Sequence, residues 1–431
     1  MSFTTLPDRS NYGLVGPEPV RAGRWEECAV RSNSDQAIAV GLGLLTILAI
    51  AYVLYRPKVQ QSKQYEATVV PLSNIMDVGF ILFSPSIVLL VGFRAPFFMF
   101  GICLVAIAAG LAMAYNIRHY EPIEGDGGRP DRIEIISEWA LLGASMVNIA
   151  YYTLVLMALI LLPFKANGDT RESVMGTVLL GVLIIIGMRG GMDKLNKAGN
   201  RTTAFNIAAV VGVVVAFLIA NFQAALGGQW GLGPSPDLGT EEIRKMIGLF
   251  ALVQGFEASR YIGVRFGAER RVSTMRLAQG ISTVVFVVFV SALLLGFLPP
   301  PEGVGTDGKA IFQIASVVGD ALPWMLLLAA LGSQSAAIIG ATSSRSDMLV
   351  SHKVPRTTTF PIILVPAILL VIFVDVTVAV NLASRVFAAF FTLQASLAAL
   401  LAFRKQSWLA VAGFVGVALM MLAILVFGLP L

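Results

Sequence analysis

The sequence predicts an all-α polytopic membrane protein with about twelve transmembrane helices, and three observations support this fold class. Of the 431 residues, 56% are hydrophobic and only 13% are charged, whereas soluble domains carry about 25% charged residues. The hydrophobic residues gather into stretches of about 20, the length that a helix needs to cross a bilayer. These stretches do not alternate between polar and apolar residues, as the strands of a membrane barrel do.

Each predicted crossing is a hydrophobic stretch bounded by loop residues. The stretches lie at 36–55, 76–92, 96–117, 134–162, 173–188, 203–224, 243–262, 277–298, 322–344, 359–376, 378–402 and 408–428. The first has no cleavage-site pattern after it and leads into Arg56, Pro57 and Lys58. A retained leading helix is therefore favoured over a signal peptide.

Lysine and arginine residues divide the loops into two sets. Twenty lie in the loops 56–75, 118–132, 189–201, 260–276, 345–356 and 404–405, and six lie in the alternate loops. Because cytoplasmic loops carry the excess of basic residues, the first set is predicted to face the cytoplasm of a multi-pass protein in the cell (cytoplasmic or inner) membrane. Both termini then face outside. If the leading helix lay on the membrane surface, the amino-terminal tail would stay inside.

The composition excludes several function classes. Two cysteines and two histidines are too few for a cysteine-rich metal site or a buried zinc or haem site. The basic residues are spread from loop to loop, so no patch for nucleic acid is predicted. No nucleophile–base pair or metal cluster is present, and we expect neither an enzyme nor a bound cofactor. The expected partners are a small organic solute and the lipid bilayer.

Two predicted helices carry features that interrupt a helix. The helix at 76–92 contains Phe83-Ser84-Pro85-Ser86, and the helix at 243–262 contains Gln254-Gly255-Phe256-Glu257. Proline removes a backbone donor in the middle of a membrane helix. Interrupted helices at matching positions of two repeats mark the solute site of many transporters. The alternative is a simple proline kink and a polar residue packed between helices.

Four stretches then resemble the amino acid–polyamine–organocation (APC) superfamily of transporters: Gly79–Pro122, Gly187–Asn221, Leu249–Arg276 and Ser343–Pro355. The resemblance implies the fold of the bacterial leucine transporter, with two inverted five-helix repeats at 76–224 and 243–402. A polar tail (1–35) and a leading helix (36–55) would precede the repeats, and a final helix (408–428) would follow them. The first break differs from the family's glycine-rich pattern, since it reads Ser-Pro-Ser.

The two predicted breaks define a candidate solute site. Freed backbone donors and carbonyls would come from Phe83, Ser84, Pro85, Ser86, Gln254 and Gly255. Phe256 would be an apolar lid. Polar side chains of the 134–162 helix, namely Ser145, Asn148 and Tyr152, would form one side of the site or serve as contacts between helices.

Ionisable residues inside membrane helices are costly, and each is a functional candidate. Glu257 is expected to act as a gate or proton carrier, or to accept hydrogen bonds from freed backbone donors. Arg385 could attract a carboxylate, pair with an acidic residue or extend towards the membrane surface. Asp77 is expected near the inner interface in a solvated or capping role. Resemblance to sodium-coupled relatives points to a cation site at Ser333 and Ser335, and both Na+ and H+ remain open as coupling ions.

The predicted function is secondary active transport of an amino acid or related small organic solute, by alternating access at the helices 76–92 and 243–262. The alternative is a protein of the same fold that no longer transports and acts as a sensor or as a subunit of a membrane complex. The tail with its four arginines and the leading helix motivate that alternative, because they could contact a protein partner.

Overall fold

The computed structural model describes residues 33–430, apart from residues 78, 126–127, 165–167, 191, 228–235, 264 and 296–309. Most of the predicted polar tail, residues 1–32, lies outside the described residues. Over the described ranges the chain forms helices and turns, without a strand.

The helices of eight residues or more are numbered here in chain order. They are α1 (Asn33–Leu54), α2 (Lys63–Ile75), α3 (Gly79–Val91), α4 (Ala95–His119), α5 (Arg129–Leu161), α6 (Asp169–Met188), α7 (Met192–Leu226), α8 (Thr240–Ile247), α9 (Ala268–Leu295), α10 (Ala310–Val318), α11 (Leu322–Ser351), α12 (Arg356–Phe373), α13 (Val376–Arg404) and α14 (Trp408–Phe427).

The number of crossings agrees with the prediction. Ten stretches in the described part of the chain are long and apolar enough to span a membrane. One of them, Gly79–Ile123, contains both α3 and α4, separated by the 3-10 turn Gly92–Arg94. The discontinuous segment that begins with α8 supplies a further crossing. The predicted all-α polytopic membrane fold with about twelve crossings is therefore confirmed.

The first discontinuous crossing starts earlier than predicted. α2 precedes α3, and the two helices are interrupted at Met76 and Asp77. Residues 63–75 were predicted to be part of a loop, because this stretch mixes polar and apolar residues. In the structure one side of α2 lines an internal cavity, and Ser73 and Asn74 lie on that side. This position accounts for the polar residues of the helix. With α2 included, the crossing runs from residue 63 to residue 91, whereas the predicted stretch 76–92 matches α3 and the turn that follows it.

The predicted break at residues 82–86 was wrong. Pro85 lies inside α3, which continues as a helix to Val91. Ser84 directly precedes the proline, and its hydroxyl donates to the Phe80 carbonyl, one turn earlier in the helix, at 2.6 Å. A membrane helix tolerates proline where neighbouring groups satisfy or shield the backbone groups that proline disturbs, and Ser84, Pro85 and Ser86 are all buried.

The second discontinuous crossing agrees with the prediction. α8 ends at Ile247 and is followed by the two 3-10 segments Phe250–Val253 and Phe256–Ile262. Gln254 and Gly255 lie between them, with Gln254 extended and Gly255 at φ +119°, in the left-handed region. Residues 254–258 therefore depart from a continuous α-helix, as the glycine beside polar residues predicted.

The leading helix α1 packs lengthwise against α7. Near one end, the Gln223 side chain donates to the Asp35 carbonyl at 3.1 Å. Further along, a Cβ on Gly43 would lie 3.0 Å from the Gly212 carbonyl oxygen, and Ile47 packs beside Ala208. The two helices run antiparallel, because higher residue numbers in α1 meet lower numbers in α7. This packing favours a membrane-crossing α1 over a helix lying on the surface.

Candidate functional site

The two helix breaks touch each other. A Cβ added to Gly255 would lie 2.6 Å from the carbonyl carbon of Asn74, near the end of α2. The positive φ of Gly255 is a conformation that side chains rarely adopt. Glycine is required at this position for both reasons, since the backbones of the two discontinuous crossings meet here.

A cavity of about 210 Å³ lies beside this contact. It is lined by α2, α5, α7, α11, α13 and the segment from Gln254 to Ile262. Its residues on α11 extend from Ser333 to Arg345, and Arg345 begins one of the loops with the predicted cytoplasmic charge excess. The cavity therefore runs from the helix breaks towards the predicted cytoplasmic side, and Gly340 along this path is exposed.

The structure brings half of the predicted site residues together at this cavity. Those that line the cavity are Ser145, Asn148, Tyr152, Gln254, Gly255, Glu257 and Ser333. The Asn148 side chain donates to the Tyr152 hydroxyl at 2.9 Å. The Glu257 carboxylate accepts the Gly255 backbone N–H at 2.8 Å. Glu257 is thus the local acceptor for a backbone donor freed by the break, which was one of its two predicted roles.

Other predicted site residues lie elsewhere. Those outside the cavity lining are Phe83, Ser84, Pro85, Ser86, Phe256, Ser335 and Arg385. The first four are buried in α3, one helical turn or more beyond the break. Phe256 is fully buried and stacks on Phe391, with ring centroids 4.9 Å apart. Phe256 therefore packs in the core and does not cover the cavity.

Arg385 is directed towards the carboxyl end of the last helix. Its Nη2 donates to the Gly428 carbonyl at 2.6 Å. Leu429 is held beside it, because its N–H donates to the Arg244 carbonyl at 2.9 Å. Arg385 therefore forms a contact between α13 and the residue that follows α14, and it lies outside the cavity.

Asp77 is a site residue that the sequence analysis placed at the interface. It is 8% exposed and lies at the first break. One carboxylate oxygen accepts hydrogen bonds from the Ser333 hydroxyl at 3.0 Å and from the Gln334 amide at 3.1 Å. Asp77 thus joins the first break to the middle of α11. The interfacial prediction failed because α2 was taken for a loop, which shifted Asp77 to the membrane edge.

Asn206 on α7 completes this group. Its side-chain nitrogen lies 3.1 Å from the Ser333 hydroxyl and 3.4 Å from the Met76 carbonyl oxygen. A buried asparagine in the middle of an apolar helix was the available sequence signal, and it was overlooked. Met76, Asp77, Asn206 and Ser333 together form a polar cluster at the first break, which we call the break cluster.

Several buried polar atoms around the cavity have no hydrogen-bond partner within the described part of the chain. They are Gln254 Oε1, Asn206 Oδ1, Tyr261 Oη, Arg345 Nε and Arg345 Nη1. Buried polar atoms are normally paired, because an unpaired one costs about 1–3 kcal/mol. Their gathering around one cavity indicates a site that is completed by a polar ligand or by water.

A second polar network holds the segment Phe256–Ile262 on its other side. Arg260 and Glu134 form a buried ion pair at 2.9 Å, with side chains 5% and 4% exposed. Gln394 joins both partners, since its amide accepts from Arg260 at 2.5 Å and donates to Glu134 at 2.9 Å. This network connects the second discontinuous crossing to α5 and α13.

No group of three or more histidine, cysteine, aspartate or glutamate side chains in the described ranges could hold a metal ion. The break cluster offers oxygen atoms from a carboxylate, a hydroxyl and a carbonyl. These are ligands for a hard monovalent or divalent cation and not for a soft transition metal.

A polar cavity between two discontinuous crossings of an all-α membrane protein is the arrangement of a membrane transporter. The sequence profile of an "APC superfamily transporter" matches residues 57–428. The chain belongs to the APC superfamily of transporters. A protein of Aquifex aeolicus (strain VF5), described as "Uncharacterized protein", is 27% identical over 376 residues, which cover 83% of this chain and 89% of the relative.

Proposed function

We propose that this protein is a secondary active transporter of an amino acid or a closely related small solute. The cavity between the two helix breaks, with its unpartnered Gln254, Asn206 and Arg345 atoms, carries this proposal. The cavity has the volume of a small organic molecule and not of a macromolecular ligand. Its polar atoms include both acceptors and donors, which suits a solute that carries both an amine and an acid group.

Alternating access is supported by the way the two crossings are built. Each is divided by a break into short helical parts, and the two crossings meet at Asn74 and Gly255. Short parts joined by a non-helical break can tilt separately while the contact at the break is kept. The five-helix repeats 76–224 and 243–402, with the first extended to begin at residue 63, belong to this proposal. So do a location in the cell membrane and outward-facing termini.

The break cluster is our candidate for the coupling ion. Asp77, Ser333 and the Met76 carbonyl present oxygen atoms to one small region. Asp77 and Glu257 carry two formal negative charges near the cavity, and Arg345 carries one positive charge. A bound Na+ or a proton on one carboxylate would balance this difference while a zwitterionic solute occupies the cavity. Ser335 does not line the cavity. This proposal therefore assigns Asp77, and not Ser335, to the cation site beside Ser333.

Uptake by reconstituted protein tests the function. The full chain in liposomes is given a panel of labelled L-amino acids under an inward Na+ gradient, an inward H+ gradient or no gradient. We expect accumulation of at least one amino acid that depends on one of the gradients. Accumulation with no gradient dependence would contradict secondary active transport.

Two matched variants connect that uptake to the site. Asn206→Ala removes an amide from the cavity, whereas Ser291→Ala removes a hydroxyl that bonds the Val287 carbonyl of its own helix, away from the cavity. We expect uptake to fall roughly tenfold in the first variant, since the Asn206 amide bonds the Ser333 hydroxyl and the Met76 carbonyl, and leaving such buried groups unpaired costs about 1–3 kcal/mol. Ser291→Ala should transport normally. If wild-type protein accumulates nothing, the sensor or complex-subunit alternative gains support.

A further inference from the structure

We propose that Arg345 forms a second solute subsite, on the cytoplasmic side of the cavity, which binds an acid group of the transported solute. This inference rests on the proposed function, because it assigns a chemical group to the solute and a residue that receives it.

The first observation is that a buried guanidinium lies in the cavity lining. Arg345 is 5% exposed, and within the described chain its Nε and Nη1 have no hydrogen-bond partner. Removing a charged group from water is costly unless other charges or hydrogen bonds replace the water. A buried arginine with unused donors that faces a cavity is therefore prepared to receive an anion.

The aromatic ring of Tyr261 leaves those donors available. The Arg345 Cζ lies 5.0 Å from the centroid of this ring, in a cation–π contact. A cation–π contact leaves the N–H groups of the guanidinium free to form hydrogen bonds. The Nε and Nη1 donors of Arg345 are therefore open to the oxygens of an acid group.

The position of Arg345 separates this subsite from the break cluster. Arg345 is the twelfth residue after Ser333 on α11, which corresponds to roughly 18 Å along a helix axis. The side chain of a helical residue leans towards the helix amino terminus, which brings the guanidinium several ångströms nearer to the breaks. Arg345 and the break cluster are therefore successive positions along the same cavity.

A carboxylate in the same cavity narrows the class of solute. Glu257 lines the cavity together with Arg345 and accepts the Gly255 N–H. A solute with an acid group alone would bring a second negative charge towards Glu257. A zwitterion can place its acid group at Arg345 and its ammonium group at Glu257, which matches the formal charges of both.

Paired ligands that differ only in the acid group test the subsite. Purified full-length protein in lipid nanodiscs is titrated with labelled L-alanine, L-leucine, L-glutamate and L-lysine, and with the α-carboxamide of each. We expect at least one amino acid to bind more tightly than its carboxamide, by roughly tenfold to hundredfold. In Arg345→Gln this preference should fall about tenfold, with carboxamide binding unchanged. A preference unchanged in Arg345→Gln would overturn the inference and leave the proposed function intact.

Two further variants keep the experiment decisive. Arg118→Gln removes a guanidinium from a more exposed ion pair with Glu269, and it should leave every affinity unchanged. If Arg345→Gln does not fold, the same titrations are made with Arg345→Lys. Lysine keeps the charge but lacks the planar pair of donors, so the preference should fall by a smaller factor. An unchanged preference in the folded lysine variant would overturn the inference.

Binding and uptake of the amino-acid panel test the proposed function separately from the subsite. If no amino acid of the panel binds or is taken up, the proposed function fails, and the same variants are titrated with lactate and succinate. Binding of either acid that is lost in Arg345→Gln would support the subsite without amino-acid transport. Absence of binding by all acids would overturn the subsite together with the proposed function.

Discussion

Single carboxylates fix the geometry of the two breaks. Asp77 connects the first break to Ser333 and Gln334 on α11. Glu257 accepts the N–H of Gly255 and so stabilises the left-handed turn at the second break. A helix break in a membrane leaves backbone groups that need partners. The two acidic residues are therefore part of the structure of the breaks, whatever further part they have in transport.

The Glu257 carboxylate is predicted to be needed as an acceptor and not as a proton carrier. Glutamine keeps an acceptor for the Gly255 N–H, so Glu257→Gln should fold with little loss of stability and keep the pH dependence of uptake. Glu257→Ala leaves a buried N–H unpaired, which costs about 1–3 kcal/mol. Thermal unfolding in detergent and uptake between about pH 5 and about pH 8 measure both effects. Loss of pH-driven accumulation in the glutamine variant would favour the proton-carrier role.

Gly255 is predicted to be intolerant of any side chain. Gly255→Ala would combine a positive φ with a Cβ 2.6 Å from the backbone of Asn74. We expect a loss of at least about 2 kcal/mol in stability, together with loss of uptake. Gly332→Ala is the matched control, because no atom lies within 4 Å of its added Cβ. Equal melting temperatures for the two variants would contradict the close contact of the breaks.

At the scale of elements, the segment Phe256–Ile262 is held from two sides. Glu257 lines the cavity on one side. On the other, Arg260 is paired with Glu134 of α5 and bonded to Gln394 of α13. The buried pair replaces the long apolar contact surface that a 3-10 segment of seven residues lacks. Electrostatic contacts thus add to the packing of Phe256 in placing this element, whereas close packing of small residues places α1.

The buried pair is predicted to behave non-additively. Glu134→Leu leaves Arg260 charged and unpaired in the interior, which costs about 3–5 kcal/mol. Adding Arg260→Met should recover part of that loss, because the unpaired charge is removed. Glu269→Gln breaks the more exposed pair with Arg118 and should cost less than about 1 kcal/mol. Thermal unfolding of the four proteins checks this order, and a double variant no better than Glu134→Leu would refute it.

The packing of α1 on α7 is predicted to depend on Gly212. A Cβ at this position would lie 2.8 Å from the Gly43 carbonyl oxygen and 2.3 Å from a side-chain carbon of Ile47. Gly212→Ala should therefore separate the helices and lower stability, although alanine favours helices by about 0.5–1 kcal/mol. Gly41→Ala, which meets no atom within 4 Å, should be neutral or stabilising. The comparison is made by thermal unfolding in detergent.

For the whole molecule, the distribution of basic residues sets the orientation that we propose. Twenty lysines and arginines lie in one set of loops and six in the other. The cavity continues from the breaks towards Arg345, which lies on the side with the larger number. With this orientation, the cavity leads to the cytoplasm.

Cysteine labelling is predicted to confirm this orientation. Cys28 and Cys103 are first replaced by serine, and single cysteines are placed by Lys197→Cys, Ala268→Cys, Lys353→Cys and Asp307→Cys. In intact cells the first three should resist an impermeant thiol reagent, and the fourth should react. All four should react after the cells are opened. Labelling at residue 268 from outside would reverse the topology, because its loop carries five of the twenty basic residues.

The sequence by itself determined the fold class, the crossings and the second break. Composition and the length of the apolar stretches predict membrane insertion directly, because insertion depends on the transfer of side chains into hydrocarbon. The second break could be predicted from the sequence, because Gly255 lies among polar residues in an otherwise apolar stretch. α2 was missed because its polar residues face a cavity, so it lacks the uniform apolar composition on which the prediction depended.

Only the tertiary structure decided which polar residues share the site. Pro85 looked like the stronger interruption, but it is accommodated within α3, while the actual break lies at Met76 and Asp77, between α2 with its Pro71 and Gly79 at the start of α3. Arg385 and Arg345 are the same residue type in similar positions near helix ends. One is directed to the Gly428 carbonyl and the other to the cavity. Such differences depend on contacts between residues far apart in the chain, which hydropathy and spacing along one helix do not contain.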